Sequence, residues 1–149
     1  WVVPWLAVAV MLGILSGCGG GDQNPVSGKV TLDGEPLPDA LVMFTPISGG
    51  RPAAGRTDAQ GNYELVFSRE GEGAQLGEHL VTITTGDALG MDDGTEKIIP
   101  EKVPAKYNAE SDVRVTIESG ENVFNWELES EGEIIDAAEL EGQGEDTGD

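Results

Sequence analysis

From position 26 to position 129 apolar residues recur at every second position, in short runs cut off by glycine, proline and aspartate. A period of two puts one face of a strand on a core and the other in water. The first run, 26–32, alternates Val26, Gly28, Val30 and Leu32 with Ser27, Lys29 and Thr31. In the second, 40–46, Val42 and Phe44 share one face and Leu41 and Met43 the other, so this strand is covered on one side and at least partly on both. Further runs follow at 55–57, at 62–67 with Tyr63, Leu65 and Phe67 aligned, and at 78–85 with Val81 and Ile83 inward. The last two are 112–119, with Val113, Val115 and Ile117 inward, and 123–129, with Phe124, Trp126 and Leu128 inward. Asp58-Ala59-Gln60-Gly61 has aspartate first and glycine fourth, a turn in which the aspartate bonds its own backbone. No stretch of 26–129 has a helical period. Seven short strands with turns between them predict an all-β sandwich.

The chain holds one cysteine, Cys18, so no intramolecular disulfide can form and burial of apolar surface must hold the fold. Cys18 follows an apolar, uncharged run at 1–15, interrupted at Pro4, and the small residues Ser16 and Gly17. A membrane-spanning helix needs roughly 20 apolar residues, whereas the apolar part of a signal peptide needs ~7–15. No basic stretch precedes the run and the sequence opens on Trp1, so further residues are expected upstream. Leu15-Ser16-Gly17-Cys18 resembles the lipobox of bacterial lipoproteins. The resemblance implies cleavage between Gly17 and Cys18, a lipid on Cys18, and an extracytoplasmic protein held to a membrane of the cell envelope. It implies several acyl chains on one cysteine, and stable anchoring takes at least two. The alternative is an uncleaved anchor with a bystander cysteine. Gly19 rather than aspartate after the cysteine leans toward the outer membrane. The segment 18–25, rich in glycine, reads as a short flexible tether, 26–129 as the sandwich, and 130–149 as an acidic, disordered tail.

Acidic residues number 28 against eight Lys and Arg, a net charge of −20. Eight of the acids and none of the bases lie in 130–149. Such a balance argues against nucleic-acid binding, which relies on basic patches to displace counterions. It also argues against a second contact with anionic lipid. Ile134, Ile135, Ala137, Ala138 and Leu140 could make a helical turn or two on a partner, although a solvated tail is the commoner fate of such sequence.

Two segments resemble the carboxypeptidase regulatory-like domain. They are Val26-Ser27-Gly28-Lys29-Val30-Thr31 with Gly34-Glu35-Pro36-Leu37-Pro38-Asp39-Ala40-Leu41-Val42, and Thr57-Asp58-Ala59-Gln60-Gly61-Asn62-Tyr63-Glu64-Leu65. A third motif of that family has a glycine, one residue and an aromatic before a strand. Here it reads Gly77-Glu78-His79-Leu80-Val81, with histidine in the aromatic place. The resemblance covers about residues 26–85 and implies a transthyretin-like, Greek-key sandwich. Domains of that kind serve as accessory, adhesive or structural modules, and fold alone supplies no activity.

Chemistry-bearing constellations are sparse. His79 is the single histidine, so neither zinc-ligand spacing nor a Ser-His-Asp set is present, and it reads as a strand-edge residue filling an aromatic slot. The purine-derivative hydrolysis of some transthyretin-like proteins needs several histidines and a different C-terminus. Asp87, Asp92, Asp93 and Glu96 could supply oxygen ligands for calcium, but their spacing does not match a calcium loop, and a solvated acidic loop is the plainer expectation. Lys29 with Asn122 or Asn125 matches the pair that adhesin sandwiches join by an isopeptide bond. Alternation points Lys29 outward, as an exposed lysine blunting an edge strand. The segment 86–105 is long for a connection and carries an extra edge strand near 97–99. It reads equally as a partner surface and as a plain link. No cofactor is expected. The function expected is a non-catalytic binding or structural module for a protein partner. The alternatives are an accessory domain capturing a solute or glycan for an envelope enzyme or transporter, and a weak calcium-dependent module. Few aromatic residues remain outside the core, which favours a protein over a sugar.

Overall fold

A computed structural model describes residues 23–68 and 71–135. Among them the chain forms β1 (Gln23–Asn24), β2 (Val26–Leu32), β3 (Glu35–Pro36), β4 (Leu41–Pro46), β5 (Ala53–Arg56), β6 (Asn62–Glu64), β7 (Val66–Ser68) and β8 (Gly71–Glu72). It continues through β9 (Ala74–Gln75), β10 (Gly77–Thr84), β11 (Asp87–Gly90), β12 (Glu96–Ile99), β13 (Arg114–Ile117), β14 (Asn122–Val123) and β15 (Trp126–Leu128). A single turn of 3-10 helix spans Ala105–Tyr107. The fold is an all-β sandwich, as the alternation requires.

Two sheets face each other. The larger has the order β13-β10-β4-β5-β7-β8. In the smaller, β2 lies centrally, with β3 and β6 antiparallel on one edge and β14 and β15 parallel on the other. Val26, Val30 and Leu128 from the smaller sheet meet Val42, Phe44, Val81, Ile83 and Ile117 from the larger, all buried. Phe44 is the centre of an aromatic cluster, with ring centroids 5.8 Å from Phe124, 6.4 Å from Trp126 and 6.3 Å from His79. Burying each such large side chain contributes roughly 1.5–3 kcal/mol.

The expected count of seven strands is too low: the two-residue strands β1, β3, β8 and β9 lie outside the expected runs, and three further physical reasons add the rest. The run 62–67 breaks at Leu65, where the chain leaves the smaller sheet as β6 and joins the larger as β7. The run 123–129 breaks at Phe124 and Asn125, where the backbone turns toward Gly28. A Cβ at position 28 would lie 1.8 Å from the Phe124 carbonyl oxygen, so only glycine admits that approach. Finally, 86–105 contains a hairpin of its own, β11 with β12. The edge strand expected near 97–99 is there as β12, but it pairs in a separate two-stranded sheet and borders neither main sheet.

The two segments that carry the domain resemblance lie against each other. The Thr57 hydroxyl accepts from Ala40 N–H (2.8 Å) and donates to the Leu37 carbonyl (2.6 Å). The Asp58 carboxylate accepts from the N–H groups of Gln60 and Asn62, both at 2.9 Å. Gly61 closes that turn at φ +81° and accepts from Val30 N–H at 2.8 Å.

Between β13 and β15 the sandwich would gape. Tyr107 fills this side, around a crevice of about 70 Å³ shared with Val81, Ile83, Val113 and Trp126. Lys106 lies over its ring at 5.0 Å and pairs with Glu129 at 3.7 Å. The chain stays on the body past 129, the boundary expected for the domain. Ser130 N–H donates to the Asp33 carboxylate (3.0 Å), Ala105 N–H donates to the Glu133 carbonyl (2.7 Å), and Ile135 sits beside Thr82, Thr84 and Asn108. Ile134 and Ile135 belong to no helix. Residues 136–149, like Gly17 and Cys18, lie outside the described residues.

Candidate functional site

β10 sets the long axis. Its eight residues span roughly 26 Å at ~3.3 Å each. At its start lies β9, paired with β1, so the chain enters the domain at this end. Asn24 fixes the entry by accepting Gly120 N–H at 3.0 Å. At the far end of β10 lie the 33–39 turn, the β11–β12 hairpin and the 129–135 segment, joined by Arg56–Asp87 and Asp33–Ser130 contacts. The point of chain entry and the hairpin therefore occupy opposite poles of the sandwich.

The segment 86–105 divides into two parts with different roles. Its second part, continuing to Ser111, closes the edge of β10 where β13 has ended. β13 pairs with β10 only as far as Leu80. Beyond it, the Ser111 hydroxyl donates to the Val81 carbonyl (2.6 Å) and the Asn108 amide to the Ile83 carbonyl (3.4 Å). Glu101 completes the series. Its buried carboxylate accepts from Thr85 N–H (2.8 Å), Thr85 hydroxyl (2.7 Å), Gly86 N–H (3.1 Å) and Val103 N–H (2.9 Å), and from the Thr84 hydroxyl. Burial pushes its pKa up, but the hydrogen bonds from Thr84, Thr85 and Val103 outweigh burial and hold the carboxyl below its ordinary range.

The first part is the hairpin, which projects. Arg56 ties its base down, donating to the Asp87 carboxylate at 3.3 Å and to the Asp39 carbonyl at 3.0 Å. At the tip, the Asp93 carboxylate accepts from Thr95 hydroxyl (2.5 Å) and Thr95 N–H (2.9 Å), and these bonds lower its pKa. Of the four calcium candidates, Asp87 thus pairs with Arg56 and Asp93 caps the turn, while Asp92 and Glu96 are exposed. Among the described residues no three His, Cys, Asp or Glu side chains come together as a metal site. Sequence spacing put these acids near one another, but hairpin geometry spends two of them on local bonds.

Register assigns the hairpin's faces. Asp87 lies opposite Ile99 and Leu89 opposite Lys97, so Asp87, Leu89, Lys97 and Ile99 share one face. Leu89 and Ile99 on that face overhang a cleft of about 510 Å³, with Pro38, Asp39, Arg56 and Lys102 across it. Ala88 and Ile98 share the opposite face. Leu89 is 43% exposed, Met91 49% and Ile98 50%.

The other candidates resolve into structural roles. His79 is buried in β10, flanked by β13 and β4, and so is interior rather than at a sheet edge. Its Nδ1 lies 3.0 Å from the Gly77 carbonyl. It does fill an aromatic slot against Phe44. Lys29 points outward, but β2 is central in its sheet, so the lysine blunts no edge. The Asn122 amide is bonded within its own turn to the carbonyls of Glu118 and Gly120, both at 2.9 Å, and the Asn125 side chain accepts Lys29 N–H at 3.0 Å. An open groove of about 720 Å³ runs over Lys29, Asn62, Glu64 and Asn125. Tyr63, the one aromatic residue lining it, is 3% exposed and presents no face for a sugar to stack on. Sequence reasoning missed Glu101, Arg56 and Leu89. Nothing local marks them, because each acts on a segment distant along the chain or through its exposure.

No family model matches the chain, and no curated protein sequence matches it. Among solved structures it is similar to a DUF3823 family protein from Parabacteroides merdae ATCC 43184, at 15% identity and TM-score 0.40, over 73% of this chain and 47% of that one. It is also similar to a 9R-lipoxygenase from Cyanothece PCC8801, at 13% identity and TM-score 0.42, over 72% of this chain and 16% of that one.

Proposed function

We propose that this chain is a non-catalytic binding module of the bacterial cell envelope, held extracytoplasmically by lipid on Cys18, which recognises a protein partner through the β11–β12 hairpin. One observation carries this: Leu89, Met91 and Ile98 are each about half exposed on a two-stranded hairpin outside both main sheets. A lone hairpin is marginal in water, and one that exposes large apolar side chains on both faces is a surface that a partner can cover. Here the clamp at Glu101 and the Arg56–Asp87 pair hold the hairpin in place without covering it. The tether enters at the opposite pole, so a lipid at Cys18 leaves the hairpin directed away from the membrane.

Cross-linking through lysine in native envelopes tests this. Lys97 and Lys102 lie on or beside the hairpin and Lys29 lies on the outer face of the small sheet. Repeated links from Lys97 or Lys102 to one protein are expected. Links from Lys29 alone, or none, overturn the assignment of the hairpin.

A further inference from the structure

We propose that the partner surface is cationic: an apolar projection that enters the cleft beneath Leu89 and Ile99, ringed by lysine or arginine. This rests on the binding-module assignment above and specifies its partner.

The fold brings three separate segments to the hairpin pole: 33–39, 87–99 and 129–135. Together they carry ten acids (Asp33, Glu35, Asp39, Asp87, Asp92, Asp93, Glu96, Glu129, Glu131 and Glu133) and one base, Lys97. Of the nearby cations, Lys102 lines the cleft and the other two are committed, so the acids of this pole still outnumber its bases. Arg56 is bonded to Asp87 and to the Asp39 carbonyl, and Lys106 to Glu129 and the Tyr107 ring. The potential at this end is therefore strongly negative, while the cleft itself offers apolar contact from Pro38, Leu89 and Ile99. A surface with those two properties steers a basic partner into register and rewards it for burying an apolar group.

The same placement rejects the other occupants. A second copy brings the same net charge of −20 to an acidic pole. Anionic lipid and nucleic acid are repelled likewise. A divalent cation lacks a cluster of three ligating side chains among the described residues. An uncharged apolar ligand has no use for the acids gathered at this pole.

The test uses the full chain and three synthetic peptides followed by fluorescence anisotropy. One peptide is amphipathic, of leucine and lysine. The second replaces every lysine with glutamine, and the third keeps the lysines and replaces every leucine with serine. The leucine–lysine peptide is expected to bind tightest, with affinity falling as salt rises from 20 to 150 mM, on the order of the Debye screening change. The Leu89→Ser variant, which removes the exposed apolar group over the cleft, should weaken it about tenfold, a change near 1.4 kcal/mol, with its melting temperature unchanged. The Asp92→Asn/Glu96→Gln variant should weaken it and flatten the salt dependence. Hairpin-dependent binding of the glutamine peptide, equal to that of the lysine peptide, overturns the cationic partner and leaves the binding module standing. Equal binding of the serine–lysine peptide, indifferent to Leu89, overturns it as well and reduces the effect to diffuse attraction by acids. No binding of the leucine–lysine peptide also overturns it, and the envelope cross-links then decide separately whether the hairpin has any partner.

Discussion

Trp126 donates its indole N–H to the hydroxyl of Tyr63 at 2.9 Å. That hydroxyl donates in turn to the Phe124 carbonyl at 2.7 Å, across the gap left by Gly28. One phenol thus joins the two edges of the smaller sheet and satisfies a half-buried donor and a half-buried acceptor together. Tyr63→Phe leaves both without this partner and should cost roughly 1–3 kcal/mol in urea unfolding. A loss below about 0.5 kcal/mol contradicts the role given to this bond.

The Tyr63 network also makes stability depend on pH. Burial, partly opposed by the Trp126 N–H, pushes the phenol up from its ordinary 10 to about 12. The folded state therefore holds its proton where the unfolded state has lost it. The resulting contribution is complete below pH 10 and is lost as pH rises from 10 to about 12, amounting to roughly 2–3 kcal/mol. Chemical unfolding at pH 9 and pH 12 should show the drop, and Tyr63→Phe should remove it.

Glu101 has the opposite sign. Its folded-state pKa lies below the ordinary 4.5, so its stabilisation is complete above that value and is lost as pH falls through the lower one. Glu101→Gln substitutes an amide donor on one side of a site lined with donors and should cost roughly 2–3 kcal/mol at pH 7. Amide exchange of Thr85, Gly86 and Val103 should quicken while that of β2 stays slow. Uniform acceleration across both sheets argues against a local clamp.

Gly28→Ala puts a Cβ 1.8 Å from the Phe124 carbonyl oxygen and 3.0 Å from the Tyr63 ring. The backbone at 124–125 must retreat, breaking the Tyr63–Phe124 bond. A loss of about 1–3 kcal/mol is expected by overpacking, with the tryptophan emission of Trp126 shifted to the red. An alanine variant as stable as the parent excludes this close approach.

Cys18→Ala should release the protein from envelope membranes into the soluble fraction, since the proposed anchor is lipid on that thiol and amino group. Persistent sedimentation with membranes after a carbonate wash defeats the lipid-anchor proposal and leaves the domain's own surface as the attachment.

Much of the fold was legible along the chain because strand alternation is written into neighbouring covalent positions. Val26 and Val30, Val42 and Phe44, and Val81 and Ile83 face the core wherever their strands pair. The Asp58–Gly61 turn was legible for the same reason, since its donors and acceptor lie within four residues. The candidate site was only half legible. The length of 86–105 and its acids stood out, but not that Asp87 and Asp93 were already engaged. Tertiary structure alone decided that His79 is interior, that Leu65 and Phe124 interrupt their strands, and that Glu101 seals the end of β10. It alone also placed the acids of 33–39, 87–99 and 129–135 at one pole, opposite the chain's entry. These outcomes depend on contacts between residues far apart in sequence, such as Lys29 with Asn125 and Asp33 with Ser130. A period of two orients each side chain toward one face or the other, but only sheet order and register determine which partner it meets there.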